Sequence, residues 1–249
     1  MSFTLAIIGS KGRMGSMLLE AWAMSHAVRG VDLDGDGILR PEETAEALSG
    51  SDAVFLCVPA PAMPEVLDIV TPRMHRRQIL ADVCSVKINP MREMEERFSG
   101  PVMGTHPLFG PENERSGAKV ALVAGKNAHT EHEALVTGLF AELGAECFMT
   151  TAEEHDKAVA ISQSLHFALS AAYFATAANH KGLEPYITPS FNRYREAAKK
   201  ELTVNAPMFC EFSKANPMLP EALEAVRVLL NNAKNGALPE IAAQASRWY

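Results

Sequence analysis

Up to residue 151 of the 249-residue chain, short apolar runs alternate with amphipathic segments. This alternation predicts strands and helices in turn, and therefore an α/β fold with a largely parallel, doubly wound sheet. The expected strands cover residues 3–8, 27–31, 53–58, 79–83, 102–104, 119–123 and 147–149. From residue 152 only helical patterns follow. We therefore expect two domains, residues 1–151 and an all-helical domain at residues 152–249.

The longest helical pattern, residues 156–180, is apolar on nearly every face. A membrane span is one interpretation, but several polar side chains in it would be costly in lipid. These are Ser162, Gln163, Ser164, His166 and Ser170. A helix that is apolar all round belongs in a core or a subunit interface. We therefore expect a helical dimerisation domain, a homodimer and no membrane partner.

The charge balance limits the partners. A net charge of −7 argues against nucleic acid and against an anionic membrane surface, so an anionic substrate would need local positive charge. The four cysteines are scattered, without CxxC or metal spacing, which suits a reducing cytoplasm. The N-terminus enters a strand-like run directly, so we expect no signal peptide.

A glycine turn follows the first expected strand. Glycines at such a turn let backbone N–H groups approach a pyrophosphate at a helix N-terminus. Asp32 ends the second strand, where a carboxylate takes the ribose hydroxyls. It favours NAD over NADP, although Lys11 and Arg13 leave NADP open. The expected cofactor contacts are Gly9, Ser10, Gly12, Arg13, Met14, Gly15, Asp32, Val58 and Pro59.

A second motif overlaps this site. Residues 32–37 (DLDGDG), with Glu43 at the twelfth position, match a calcium-binding EF-hand loop. However, a strand pattern precedes the loop, Pro41 interrupts it, and the sequence shows no second hand. We therefore expect an ordinary solvated turn and no metal.

His106 lies in residues 104–111 (GTHPLFGP), where we expect a loop fixed by glycines and prolines. Histidine suits proton removal because its ordinary pKa lies near neutrality. Ser85 follows the strand at 79–83 and could bond the imidazole or a substrate hydroxyl. The alternatives are a structural histidine and a helix-capping serine. We expect Cys84 to be a packing residue.

Three motifs occur in the same order as in a known family: DxxSVK at 82–87, GxHPLFGP at 104–111, and Glu154-His155-Asp156 before a long helix. The chain resembles the prephenate/arogenate dehydrogenases of tyrosine biosynthesis over essentially its whole length. The resemblance implies a Rossmann-type domain followed by a helical dimerisation domain. It also implies oxidative decarboxylation of a cyclohexadienol to a phenol. His106 would accept the hydrogen bond of the ring hydroxyl, and Ser85 would assist it.

The resemblance also implies residues on the substrate side. Arg193 would bind a substrate carboxylate through its planar guanidinium, with Arg195 open as the alternative. Many members carry Ser-His-Leu-Pro-His in the long helix, whereas this chain has QSLHF at 163–167. Gln163 is assigned to the substrate, and the role of His166 stays open. Because the chain ends at residue 249, we expect no appended regulatory domain.

The expected function is NAD-dependent conversion of prephenate to 4-hydroxyphenylpyruvate. One alternative is a dehydrogenase of arogenate or an amino-substituted prephenate, with NAD or NADP. Another is a nucleotide- or calcium-responsive binding protein without catalysis, which would tolerate the loss of His106.

Overall fold

Seven strands form one sheet in the first of the two units of the computed structural model, which describes residues 2–249. The first unit extends to His155 and the second runs from Asp156 to Tyr249. The strands are β1 Thr4–Ile8, β2 Ala27–Val31, β3 Ala53–Leu56, β4 Ile79–Asp82, β5 Val102–Pro107, β6 Lys119–Ala124 and β7 Glu146–Met149. Their order across the sheet is β2-β1-β3-β4-β5-β6-β7. All neighbours pair in parallel except β5 and β6, which are antiparallel.

Helices cover both faces of this sheet. They are α1 Arg13–Trp22, α2 Pro41–Leu48, α3 Met63–Val70, α4 Ile88–Arg97 and α5 Thr130–Ala141. Side chains alternate along β1, so Leu5 packs into the core layer that contains α1 and α5, and Ala6 into the layer that contains α2, α3 and α4. Burial on both faces explains why the inner strands β1, β3 and β4 read as nearly continuous apolar runs, whereas the edge strands β2 and β7 are largely exposed.

The sequence indicated neither helix α2 nor the full length of strand β5. Helix α2 was missed, because its sequence PEETAEAL buries only Thr44, Ala47 and Leu48 and shows little apolar periodicity. Proline at its first position fixes φ for helix entry, so Pro41 starts a helix as well as ending the acidic turn. Strand β5 also continues to Pro107 instead of ending at residue 104. His106 therefore lies in a strand opposite Ala121 of β6 and not in a loop.

The second unit contains helices alone among residues 156–249. Helix α6, Ala152–Val159, begins in the first unit and continues through a π-helical segment, Ala160–Leu165, into α7, His166–Ala178. The others are α8 Pro189–Leu202, α9 Ala206–Ala215, α10 Leu219–Asn232 and α11 Leu238–Ala245. A doubly wound sheet followed by an all-helical unit confirms the expected fold class.

The continuous helix Ala152–Ala178 is long and apolar enough, by length and composition, to cross a membrane. Within one chain only 28% of its most apolar window is buried. Ile161, Leu169 and Tyr173 lie exposed along it. The helix therefore presents an apolar surface that a single copy of the chain leaves uncovered.

Candidate active site

The carboxyl ends of four parallel strands meet at one edge of the sheet. The strand register aligns Ile8 with Leu56, Leu56 with Asp82, and Asp82 with Gly104. Ligands of open α/β sheets bind outside this edge. The glycine turn follows β1, Val58 and Pro59 follow β3, Ser85 follows β4, and His106 lies near the end of β5. The fold therefore brings these sequence motifs to the same edge.

The glycine turn can take a nucleotide. Gly9 has a φ of 86°, and a Cβ atom there would lie 2.5 Å from the carbonyl oxygen of Cys57 and 3.0 Å from Val58. A Cβ on Gly15 would collide with the Gly9 carbonyl. Gly12 is the N-cap of α1 and has no side chain that could cap the helix, and a helix N-terminus without a side-chain cap suits an anion. These features fit a pyrophosphate.

Asp32 is fixed against this turn. The backbone N–H of Lys11 donates to its Oδ2 at 2.5 Å, and that of Leu33 donates to its Oδ1 at 2.7 Å. The turn itself is anchored to β2, because the N–H groups of Gly9 and Ser10 both donate to the Val31 carbonyl. The carboxylate thus has a defined position beside the turn, as readout of a ribose requires.

Other expected cofactor residues differ in their surroundings. Arg13 is exposed and pairs with Glu112 at 3.5 Å, in the segment between β5 and β6. Met14 packs against the α1–α5 core layer, and Val58 packs against the opposite layer. Pro59 is exposed at the end of the β3 turn.

The acidic segment after Asp32 forms a closed turn. Asp34 Oδ1 accepts hydrogen bonds from the N–H groups of Asp36 and Ile38, both at 2.9 Å. Arg40 pairs with the same carboxylate. The Asp34 carboxylate is therefore bonded within its own turn, as in an ordinary solvated turn. Among residues 2–249 no cluster of three or more His, Cys, Asp or Glu side chains could hold a metal ion.

A buried ion pair joins the β4 turn to β5. Lys87 Nζ lies 2.5 Å from Asp82 Oδ2, with both side chains fully buried, and donates to the Thr105 carbonyl at 2.7 Å. Thr105 Oγ1 donates back to the Asp82 carbonyl at 2.5 Å. These bonds fix the turn that carries half-buried Ser85, and they fix the residue before His106. Within residues 2–249 the Ser85 hydroxyl has no hydrogen-bond partner, which leaves it available to a ligand.

His106 is a buried base. Burial lowers its pKa well below the ordinary value of 6.5, and the nearby His155 and Lys87 lower it further. The imidazole is therefore neutral at pH 7 and has a lone pair to accept a proton. Its Nδ1 lies 2.9 Å from Nε2 of His155, on the first turn of α6.

Sequence reasoning assigned no role to Asp82, Lys87 or His155, although all three belong to the motifs quoted for the resemblance. The sequence contains a signal for the Asp82–Lys87 pair, because this acid and this base flank a mostly apolar segment, residues 83–86, at the end of an apolar strand. Charges in apolar surroundings are rarely buried unless they are paired.

The expected substrate residues lie in the second unit. Gln163 is half-buried in the π-helical segment, and π-helical turns are frequent at functional sites. Arg193 is exposed on α8 and donates to Ser190 Oγ at 3.1 Å. Arg195 pairs with Glu196 at 3.6 Å, and His166 faces Glu201 at 3.4 Å. Of the two arginines, Arg193 lacks a carboxylate partner among residues 2–249.

Comparison with known proteins gives a consistent result. A family model described as the nucleotide-binding domain of prephenate dehydrogenase matches residues 12–148. The chain is 29% identical over 178 residues to the T-protein of Haemophilus influenzae, covering 70% of this chain and 44% of that protein. It is 30% identical over 172 residues to a 4-amino-4-deoxyprephenate dehydrogenase of Streptomyces pristinaespiralis, covering 64% of this chain and 57% of that protein. The chain thus spans about half the length of the curated relatives it matches.

A solved structure shares the fold. It is prephenate dehydrogenase from Aquifex aeolicus in complex with hydroxyphenyl propionate and NAD+, with a TM-score of 0.76. Sequence identity is 18%, and the alignment covers 98% of this chain and 93% of the other. At this identity the similarity shows the fold alone.

Proposed function

Because the chain belongs to the prephenate dehydrogenase family, we propose that it converts prephenate and NAD to 4-hydroxyphenylpyruvate, CO₂ and NADH, as a step of tyrosine biosynthesis. The observation that carries the proposal is the buried, neutral His106 at the sheet edge that also holds the glycine turn. The pairing of a proton acceptor with a nucleotide cradle is what an alcohol-oxidising enzyme needs.

The roles of the chain's residues follow from the chemistry. His106 accepts the proton of the ring hydroxyl, and Ser85 hydrogen-bonds the same oxygen. A bound nicotinamide would supply the acceptor for the hydride on the carbon that bears this hydroxyl. The bond between the ring and its carboxylate then breaks, CO₂ departs, and the electron pair of that bond completes the aromatic ring. His106 returns its proton to the phenolic oxygen, so no net proton is released.

The cofactor preference rests on Asp32. Its carboxylate is held by the N–H groups of Lys11 and Leu33, so its negative charge is fixed beside the turn. A ribose with free hydroxyls can donate hydrogen bonds to this carboxylate, whereas a 2′-phosphate would be repelled. We therefore assign NAD as the cofactor and regard NADP as the weaker ligand.

The substrate carries two carboxylates, and the protein is acidic overall. A local cation must therefore overcome the background field. We assign this role to Arg193, because among residues 2–249 its guanidinium bonds a serine hydroxyl and no carboxylate, whereas Arg195 is paired with Glu196. Gln163 is assigned to the polar groups of the same substrate.

A second candidate is a dehydrogenase of an amino-substituted prephenate or of arogenate. The 30% identity to a 4-amino-4-deoxyprephenate dehydrogenase favours it. Compared with prephenate, 4-amino-4-deoxyprephenate has an amine in place of the ring hydroxyl, and arogenate has an amine in place of the side-chain keto oxygen. His106 would accept a proton from either ring substituent.

We also propose a cytoplasmic homodimer. All four cysteines are free, which fits a reducing compartment. Exposed apolar side chains on the second unit supply a surface for a second copy; they include Ile161, Leu169, Tyr173, Val228, Leu229 and Leu230. Light scattering at micromolar concentration tests the assembly. A mass of about 27 kDa would contradict the dimer.

The direct test is NADH or NADPH absorbance with each substrate and cofactor in turn. We expect the highest kcat/KM with prephenate and NAD. Higher kcat/KM with arogenate or 4-amino-4-deoxyprephenate would favour the second candidate. Nucleotide binding without turnover of any of the three substrates would contradict both candidates and favour a binding protein.

A further inference from the structure

His155 contacts the imidazole of His106 in the first unit. It lies on the first turn of α6, is 4% exposed, and places its Nε2 2.9 Å from Nδ1 of His106. The ring centroids are 5.0 Å apart with an interplanar angle of 68°, so the rings meet edge to face. Both side chains are buried, which makes this hydrogen bond a fixed element of the site.

The direction of this bond decides what His106 can do. A neutral imidazole has one N–H group and one lone pair, so only one of the two facing nitrogens carries the proton. If His106 donates from Nδ1, its Nε2 keeps the lone pair and can accept a proton from a ligand. If His155 donates from Nε2, His106 carries its proton on Nε2 and cannot act as the acceptor.

The surroundings favour a neutral His106. Lys87 is the cation that acts on it, and this cation is held between Asp82 and the Thr105 carbonyl. Burial, His155 and Lys87 all lower the pKa of His106. Within residues 2–249, no second hydrogen bond of the His106 ring is present, so Nε2 is the nitrogen left for a ligand.

We propose that His155 is a positioning residue, which accepts the Nδ1–H of His106 and thereby holds the Nε2 lone pair of His106 ready to take the substrate proton. This inference rests on the proposed function for its catalytic consequence. The hydrogen bond itself can be tested without turnover. His155 acts through His106 and has no assigned contact with the substrate.

The test compares His155→Leu, which removes the acceptor, with His155→Gln, whose amide oxygen can replace it. The matched controls are His26→Leu and His26→Gln. His26 is also buried, and its Nε2 lies 2.9 Å from Glu142 in the same unit. These controls report the effect of losing a buried histidine hydrogen bond away from the site.

The first measurement is ¹⁵N NMR of the histidine rings without ligands, with His106 signals assigned by their loss in His106→Asn. We expect His106 to carry its proton on Nδ1 in the unmodified protein and in both His26 variants. In His155→Leu the Nε2–H form should increase, and in His155→Gln the Nδ1–H form should remain dominant.

The second measurement is steady-state kinetics with prephenate and NAD. His155→Leu should lower kcat by about tenfold to a hundredfold, the loss typical when the hydrogen-bond partner of a metal-ligating histidine is removed, with little change in KM. His155→Gln should recover most of that loss, and the His26 variants should keep the kcat of the unmodified protein.

Two results would overturn the inference: a His106 protonated on Nε2 in the unmodified protein, or an unchanged tautomer and kcat in His155→Leu. If His155→Leu does not fold, the tautomer of the unmodified protein decides the matter alone. An Nδ1–H tautomer in a protein that turns over no substrate would support the hydrogen bond and count against the proposed function alone.

Discussion

Replacing Lys87 by methionine would break the buried ion pair at the end of β4. Lys87 and Asp82 are fully buried, so the variant leaves a carboxylate without its cation in the interior. Breaking such a pair from one side costs about 3–5 kcal/mol. The N–H groups of Cys84, at 2.9 Å, and Thr105, at 3.4 Å, still face the Asp82 carboxylate and offset part of the cost. We therefore expect a loss of about 3 kcal/mol, at the lower end of that range.

Urea unfolding followed by tryptophan fluorescence measures this loss. Trp22 is fully buried in the first unit, whereas Trp248 is 89% exposed, so a Trp248→Phe background reports the first unit alone. Lys119→Met is the control, because the Lys119–Glu146 pair joins β6 to β7 in the same unit with both side chains more than half exposed. That variant should lose less than about 1 kcal/mol.

The double variant Asp82→Asn/Lys87→Met removes both charges and keeps an amide oxygen for the backbone donors. Its stability should exceed that of Lys87→Met by at least about 1 kcal/mol, because no uncompensated charge remains. The reasoning fails if Lys87→Met loses no more stability than Lys119→Met. It also fails if the double variant is less stable than Lys87→Met.

Three further predictions concern the charges of the site. Asp32→Ala should narrow the gap in kcat/KM between NAD and NADP, and an unmodified protein that prefers NADP would refute the assignment. Arg193→Lys and Arg193→Ala should both raise KM for prephenate by about tenfold to a hundredfold and leave NAD affinity unchanged, because a lysine cannot copy the two parallel hydrogen bonds of the guanidinium. If only Arg195→Ala shows the defect, the wrong arginine has been assigned. Because the pKa of folded His106 lies below its unfolded value, its contribution to stability is complete above about pH 6.5 and is lost as the pH falls from there. As the pH falls below about 6.5, the urea midpoint should fall less steeply for His106→Asn than for the unmodified protein. Equal pH dependence of the two midpoints would contradict this prediction.

The centre of the sheet could be predicted from the sequence because its inner strands are buried on both faces. Residues 53–56, for example, form an uninterrupted apolar run, and all four are fully buried. Helix α2 was not predictable in the same way, since its burial depends on contacts with other elements and not on a periodic apolar stripe. The end of β5 was missed because Thr105, His106 and Pro107 have no strand-like pattern. Their pairing with β6 comes from a distant segment of the chain.

Part of the candidate site could also be predicted from the sequence. Glycines, Asp32, Ser85 and His106 stand next to strand ends, so the topology alone brings them to one edge. His155 is separated from His106 by 49 residues, and no local pattern pairs two histidines over that distance. The Lys87–Asp82 pair has a local spacing, but its burial depends on the approach of Thr105 from β5.

The central claim is that His106 takes the substrate hydroxyl proton, and the kcat of His106→Asn tests it most directly. Asparagine keeps a polar group near the position of Nδ1 and removes the nitrogen that would accept the proton. With prephenate and NAD we expect kcat to fall by about a hundredfold to ten-thousandfold. The dissociation constant of NAD, measured by calorimetry on the same preparation, should stay unchanged. Near-normal turnover in His106→Asn would contradict the claim.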